Sequence, residues 1–377
     1  MPGYIVTMNG LDNVRSAVER GAYGTMLTPP DGNWRRHHEG TLADYSTMLP
    51  GDDIFFFCER RIFGVGRLEA VAGAVAHGNY PSAHHPVPRP EDEVPILDLA
   101  VGDREARFFC TFRPDPAFFT EGIDMDDALA SNPDAFRMLR VLWKLSFIKV
   151  DDQESQALRD LVLRRSYLPT GSLQDAPTFP SAWDESHQDI QSRLSDRHVL
   201  DVTALARASS VGGEIRHEMA LEAALLSQIT REEPSAIEAF GRWDYVSHQV
   251  PASPFKPVDY MDKLDVFGYR FIPGHKPTVA AFLVAELKIG AAHPNDVHQL
   301  MKYVDWVRAE YAGGDYGLVR AFLVATSFDA EVQFARTDHG HREFLVDRRP
   351  PQPRTWEDLV FVSFRLGEDA VRFERHP

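Results

Sequence analysis

The stretch Met261–Trp306, MDKLDVFGYRFIPGHKPTVAAFLVAELKIGAAHPNDVHQLMKYVDW, reads as a strand, a turn, a second strand and a helix. Asp265 lies near the start of the first strand. The apolar run Val279–Leu287 is the second, and it carries Glu286 near its end, with Lys288 just beyond. Residues two apart on a strand share a face, so Glu286 and Lys288 point one way while Ala285 and Leu287 point the other. A short turn between the strands brings Asp265 back beside Glu286. Two carboxylates converging at a strand end suit a hard divalent cation held through oxygen. A neighbouring ammonium group can orient a water or balance charge on a phosphate oxygen.

The helix that follows starts at His293-Pro294-Asn295, with proline near its first position. Gln299, Tyr303 and Trp306 then fall on one helical face. The order Asp, Glu-x-Lys, Gln-x-x-x-Tyr, with an apolar strand before Glu286, resembles the PD-(D/E)xK nuclease superfamily, above all its RecB-like branch. The resemblance spans roughly residues 214–329. It implies that Asp265 and Glu286 ligate Mg²⁺, with Mn²⁺ as a substitute, helped by the backbone carbonyl of Leu287. It implies that Lys288 positions the attacking water or neutralises the scissile phosphate, and that Gln299 supports the site. It also implies an acidic residue on the first core helix, here the strongly helical EIRHEMALEAALLSQ of residues 214–228. Glu222 or Glu218 can fill that place, and the setting ALEAALL favours Glu222.

The 377 residues are enough for two domains. Hydrophobic residues make up 44% and charged residues 25%, as in a globular protein with a water-facing surface. No apolar run approaches the length of a membrane-spanning helix. The N-terminus lacks a basic segment followed by an apolar core, so a secretory leader is not expected and the cytoplasm is the default location. With only Cys58 and Cys110, a four-cysteine zinc site is excluded and a disulfide framework is not expected. The net charge of −16 argues against a general nucleic-acid coating protein. It leaves room for a local basic groove beside a carboxylate site.

In the N-terminal half, Pro50-Gly51-Asp52 is turn chemistry and introduces two apolar runs, Ile54–Cys58 and Ile62–Leu68, which read as an antiparallel hairpin. Gly64 and Gly66 within the second run signal a bulge or a close backbone approach. The P-G-D turn, the aromatic strand and I-x-G-V-G are similar to the PUA-like group of small β-barrels, which includes EVE, ASCH and YTH domains. That resemblance implies a pocket for one flipped base, often a modified one. Tyr23 and Trp34 are candidate walls, and His37 or Asp52 a candidate contact to the base edge. Further expectations are a strand over 96–100, a helix over 128–143 and a last strand over 358–366 at the sheet edge.

The expected fold class is an α+β N-terminal PUA-like β-barrel domain (1–167), a linker with one helix (168–213) and an α/β restriction-endonuclease-like domain with a mixed central sheet (214–377). The expected function is Mg²⁺-dependent cleavage of double-stranded DNA by a homodimer away from membranes. The fused reader points to restriction of DNA carrying methylated or hydroxymethylated cytosine. Two alternatives stand beside it: a nuclease switched on by RNA or a nucleotide, and a binding protein with an inactive nuclease fold.

Overall fold

The computed structural model describes residues 1–32, 36–100, 102–136, 147–166, 182–252, 262–347 and 349–376. The chain divides into two compact units, Met1–Asp201 and Val202–Pro377.

The first unit runs β1 (Gly3–Thr7), α1 (Leu11–Arg20), β2 (Ala22–Leu27), α2 (Arg36–Ser46), β3 (Asp53–Cys58), β4 (Arg61–Leu68), β5 (Ala76–Gly78), β6 (Glu105–Asp124), α3 (Met125–Ser131), β7 (Phe147–Val150), α4 (Asp152–Ser166) and α5 (Ala182–Arg193). Its sheet has the order β2-β6-β4-β3-β1-β7, with β5 also on β6. Strand β6 is 20 residues long and would run roughly 65 Å if straight. It bends instead, pairing with β2 through its first part and with β4 through its second. The register shifts at Ile62/Gly64 and Gly64/Gly66 mark the bend. A Cβ on Gly66 would lie 2.9 Å from the carbonyl oxygen of Arg113, so the close backbone approach expected there is present.

Among the described residues no ladder closes the expected barrel. Among the described residues β2 and β7 lie at opposite ends of the strand order, and the sheet curls into an open half-barrel. The core on one side gathers Ile5, Phe55, Ile62, Val65, Met125, Leu158 and Val162. Cys58 and Cys110 are buried and unpaired with each other.

The second unit adds α6 (Val202–Ala208), β8 (Ser210–Val211), β9 (Glu214–Ile215), α7 (Glu218–Thr230), α8 (Pro234–Phe240), β10 (Tyr245–Pro251), β11 (Lys263–Phe271), β12 (Val279–Leu287), α9 (Pro294–Glu310), β13 (Val319–Ala325), α10 (Ala330–His339), β14 (Arg342–Val346), β15 (Gln352–Trp356), β16 (Leu359–Leu366) and β17 (Val371–His376). Its main sheet is mixed, in the order β10-β11-β12-β13-β16-β17. The β12/β13 and β13/β16 pairs are parallel and the others antiparallel. Helix α7 is buried from Met219 through Ile229, as a helix apolar on every side must be. It packs on β10, β11, β12 and β17, while α9 packs on β12 and β13. Phe240 at the end of α8 closes one side, with ring centroids 5.1 Å from Phe322 and 5.3 Å from Phe373.

Several expectations need correction. The strand expected at the sheet edge over 358–366 is the interior strand β16, because β17 pairs outside it. Residues 96–100 form no strand: the Ile96 and Leu97 amides bond to Asn79 and not to a ladder. The described helix near residue 128 is the short α3, ending at Ser131, and 137–146 lie outside the described residues. The expected linker, 168–213, is shared between the units. Helix α5 belongs to the first: its Ile190 packs with Phe109, and His187 bonds to the carbonyl of Gly21 at 2.9 Å. Helix α6 belongs to the second unit.

Phe240 is 2% exposed, so Phe240→Ala should lower the stability of the second unit by about 3–5 kcal/mol through lost burial and a residual cavity. Urea unfolding followed by tryptophan fluorescence checks this.

Candidate functional site

The antiparallel register of β11 and β12 builds the site. Val266 pairs with Ala285, so one step further Asp265 stands across from Glu286, and their side chains share a face. The Leu287 amide donates to Asp265 Oδ2 at 2.9 Å and locks the carboxyl across the two strands. Lys288 follows directly, and its amide bonds to the Val324 carbonyl of β13 at 2.8 Å. Its Nζ lies 2.6 Å from Glu286 Oε1. The structure therefore brings Asp265, Glu286 and Lys288 together.

The electrostatics are unusual. Asp265 is 8% exposed and Glu286 1%. Burial first, and the Glu286 charge second, hold the Asp265 carboxyl well above the usual carboxylate range. Burial also raises Glu286, against the opposing pull of Lys288. Burial disfavours the Lys288 cation, but the carboxylates around it outweigh that and raise its pKa. Glu286 Oε2 is buried, and among the described residues no amide, hydroxyl or ammonium donor reaches it; its neighbour is the Asp265 carboxyl, which shares a hydrogen bond with Glu286 when it holds a proton. Two crowded carboxylates form an oxygen-only donor set that a small hard cation fits. No group of three or more His, Cys, Asp or Glu side chains is placed to hold an ion among the described residues. The protein thus offers two carboxylates, which is the usual protein share of a Mg²⁺ site that also takes water and phosphate oxygens.

Gln299 and Tyr303 sit one turn apart on α9, with Gln299 Nε2 donating to the Tyr303 hydroxyl at 3.1 Å. Burial raises the Tyr303 phenol to about 12, and Glu286 and Asp265 add to the rise. Tyr303 is therefore a neutral hydroxyl within the electrostatic reach of the pair.

On α7 the two glutamates differ in role. Glu222 is fully buried and bonded to His248 and Gln249 of β10 at 2.6 and 3.0 Å. Glu218, one turn earlier, acts electrostatically on Asp265, Glu286 and Lys288 alike. Glu218 is thus the α7 carboxylate whose charge all three site residues feel. Sequence reasoning set Glu218 second because ALEAALL reads as the more buried turn, and burial there serves a different contact.

In the first unit, a cavity of about 470 Å³ opens beside α1 and β2, lined in part by Asn9, Asn13, Tyr23, Thr25, Leu99 and Arg104. Tyr23 forms part of its wall and donates to the Thr7 carbonyl at 3.0 Å. Asp52 is not there. It closes its own turn, accepting from the Leu49 amide at 3.1 Å, as a short acidic side chain in a turn does. Burial raises its pKa to about 6. Trp34 and the His37 side chain lie outside the described residues. Asn9 and Asn13 also line the cavity, and the Asn13 side-chain amide donates to the Asn9 carbonyl.

No protein-family model matches the chain, and no curated protein matches it. Among solved structures, a repair endonuclease from Pyrococcus abyssi is 27% identical, covering 32% of this chain and 43% of that one, with a TM-score of 0.22. An EndoMS complex with double-stranded DNA is 24% identical, covering 31% and 41%, with a TM-score of 0.21. The YTH domain of Zygosaccharomyces rouxii MRB1, bound to N6-methyladenosine RNA, is 11% identical, covering 43% and 83%, with a TM-score of 0.23. The chain spans about two fifths of the length of the two endonuclease structures. No helix is long and apolar enough to cross a membrane among the described residues.

The raised carboxyl of Asp265 has a stability consequence. Its native form holds its proton above the unfolded value of about 3.9, so its favourable contribution is full below that pH and is lost as pH rises through the native pKa. The metal-free second unit should therefore weaken as pH rises from about 4. Asp265→Asn keeps an acceptor for Leu287 and removes the charge. It should raise the melting temperature at pH 8 and flatten its fall with pH, as thermal scans in EDTA can show.

Proposed function

We propose that the second unit hydrolyses phosphodiester bonds in double-stranded DNA at the Asp265/Glu286/Lys288 cluster, with Mg²⁺, or Mn²⁺ in its place, as the cofactor. The observation that carries the reading is the pair of buried, raised carboxyls, Asp265 and Glu286, facing each other with an ammonium group fixed on one oxygen of Glu286. Asp265 and Glu286 would hold the ion, with the Leu287 carbonyl as the nearest backbone donor. When bound, the ion supplies Lewis acidity at a phosphoryl oxygen and eases deprotonation of water.

The chain's own residues account for the rest. Lys288, kept charged by its carboxylate neighbours, balances negative charge on the scissile phosphate and does not act as a base at neutral pH. Gln299 orients the Tyr303 hydroxyl, which stays protonated and can donate toward the same region. Glu218 adds negative charge that favours cation entry. With a net charge of −16, the protein should hold DNA weakly without metal, and less so as salt rises.

For the first unit we propose that the cavity beside Tyr23 receives a single base flipped from the duplex, methylated or hydroxymethylated cytosine among the candidates. The Asn13 amide nitrogen is held by the Asn9 carbonyl, which leaves its side-chain oxygen to accept from the edge of a base, and the largely buried Tyr23 forms part of the wall. Cutting both strands is simplest with two copies, so the working form is a homodimer.

Digestion of unmodified, methylated and hydroxymethylated duplexes with Mg²⁺ tests the reading. Asp265→Ala and Lys288→Ala should each lower the cleavage rate by at least about a hundredfold, with circular dichroism unchanged. Normal cutting by both variants would remove the cluster from the chemistry. In the first unit, Asn13→Ala should weaken binding to the preferred modified duplex about tenfold while leaving binding to the unmodified duplex as it was. Gel-shift titration reads this directly. Preference for RNA or a nucleotide would instead make the unit a sensor of those ligands.

A further inference from the structure

Behind the carboxylate pair lies a second polar cluster that no step above uses. Glu222 is fully buried. Its Oε1 receives His248 Nδ1 at 2.6 Å, and its Oε2 receives Gln249 Nε2 at 3.0 Å. His248 and Gln249 are consecutive residues of β10. On a regular strand consecutive side chains point to opposite faces, and two such neighbours do not reach one carboxylate. Here Gln249 has φ +52°, in the left-handed region that a residue other than glycine rarely adopts. That local turn lets both side chains meet on Glu222.

The kink sits at a meaningful place. His248 pairs with Val266 and Val250 with Leu264, with no shift between them. Gln249 therefore stands across from Asp265. A backbone conformation of this kind persists only when its surroundings hold it, and the two hydrogen bonds to a buried carboxylate supply the hold.

We propose that Glu222, His248 and Gln249 form a brace that fixes the kink in β10 and thereby positions Asp265. Glu222 is then a positioning residue that acts through β10, not a ligand of the cation. Both of its oxygens already accept from side chains, and turning to an ion would surrender both bonds. Glu286 Oε2, by contrast, faces only the Asp265 carboxyl, whose proton a cation would displace. Only the meaning given to Asp265 rests on the nuclease reading; the brace itself rests on the β10 geometry.

The test compares Gln249→Val, Gln249→Gly and Glu222→Gln in the full chain. Valine resists the left-handed region, whereas glycine adopts it freely. The first readout is hydrogen exchange at the Leu287 amide, which donates to Asp265. The brace predicts about tenfold faster exchange there in Gln249→Val and Glu222→Gln, and a change within about threefold in Gln249→Gly. The second is turnover. The rate constant should fall about 10- to 100-fold in the two disruptive variants with KM for DNA within about twofold, and their combination should cost no more than the worse single change. The third is Mn²⁺ affinity by calorimetry, expected to fall to a similar extent, about 10- to 100-fold, in Glu222→Gln and Gln249→Val alike.

Unchanged exchange at Leu287 in both disruptive variants would overturn the brace. So would a much larger loss of Mn²⁺ affinity in Glu222→Gln with Gln249→Val unaffected, which would make Glu222 a ligand. Failure of the parent protein both to bind Mn²⁺ and to cut DNA would overturn the nuclease reading instead, and the exchange measurement would still decide the brace.

Discussion

The hydrogen bond from the Leu287 amide to Asp265 is the contact on which the site depends. It fixes one carboxyl across the β11/β12 ladder, and the ladder's register then sets Glu286 opposite and Lys288 just beyond. The surrounding layers serve that register. Cross-strand stacking of Tyr245 on Tyr269, with centroids 5.0 Å apart, pins β10 to β11. The parallel β13 takes the Lys288 amide and stops the strand end from fraying.

Such a site costs the fold some stability. Two acidic groups are kept out of water, and each carries a raised pKa largely because of that burial. A chain selected only for stability would replace one of them with a neutral side chain.

Much of this was legible in the residues, and the rest was not, for reasons that differ by position. The Asp265/Glu286/Lys288 cluster follows from a strand period of two and a short turn, both local properties. The run Val279–Leu287 matches β12 residue for residue. The setting of Glu222 in an apolar helix signals burial but does not say which partner the carboxylate meets. Its partners lie on a strand whose decisive kink falls at Gln249, and a glutamine gives no sign of a positive φ. The open edge of the first sheet depends on how a 20-residue strand bends, which no residue pattern records. The terminal strand β17 was overlooked although Val371 and Phe373 alternate with charged residues as an edge strand would. Asp52 carries the opposite lesson. Pro50-Gly51-Asp52 predicts a turn, and in that turn the Asp52 carboxyl accepts from the Leu49 amide.

The docking of α5 bears on how the first unit can be isolated. The helix covers Gly21, where φ is +61° and an added Cβ would lie 2.8 Å from His187. Its Ile190 completes the apolar group around Phe109. A recombinant piece truncated near residue 167 would uncover that group and leave the turn after α1 without its lid. Solubility of such a piece would then report on the cut rather than on the protein. A piece ending at Asp201 retains both contacts and is the natural unit for expression.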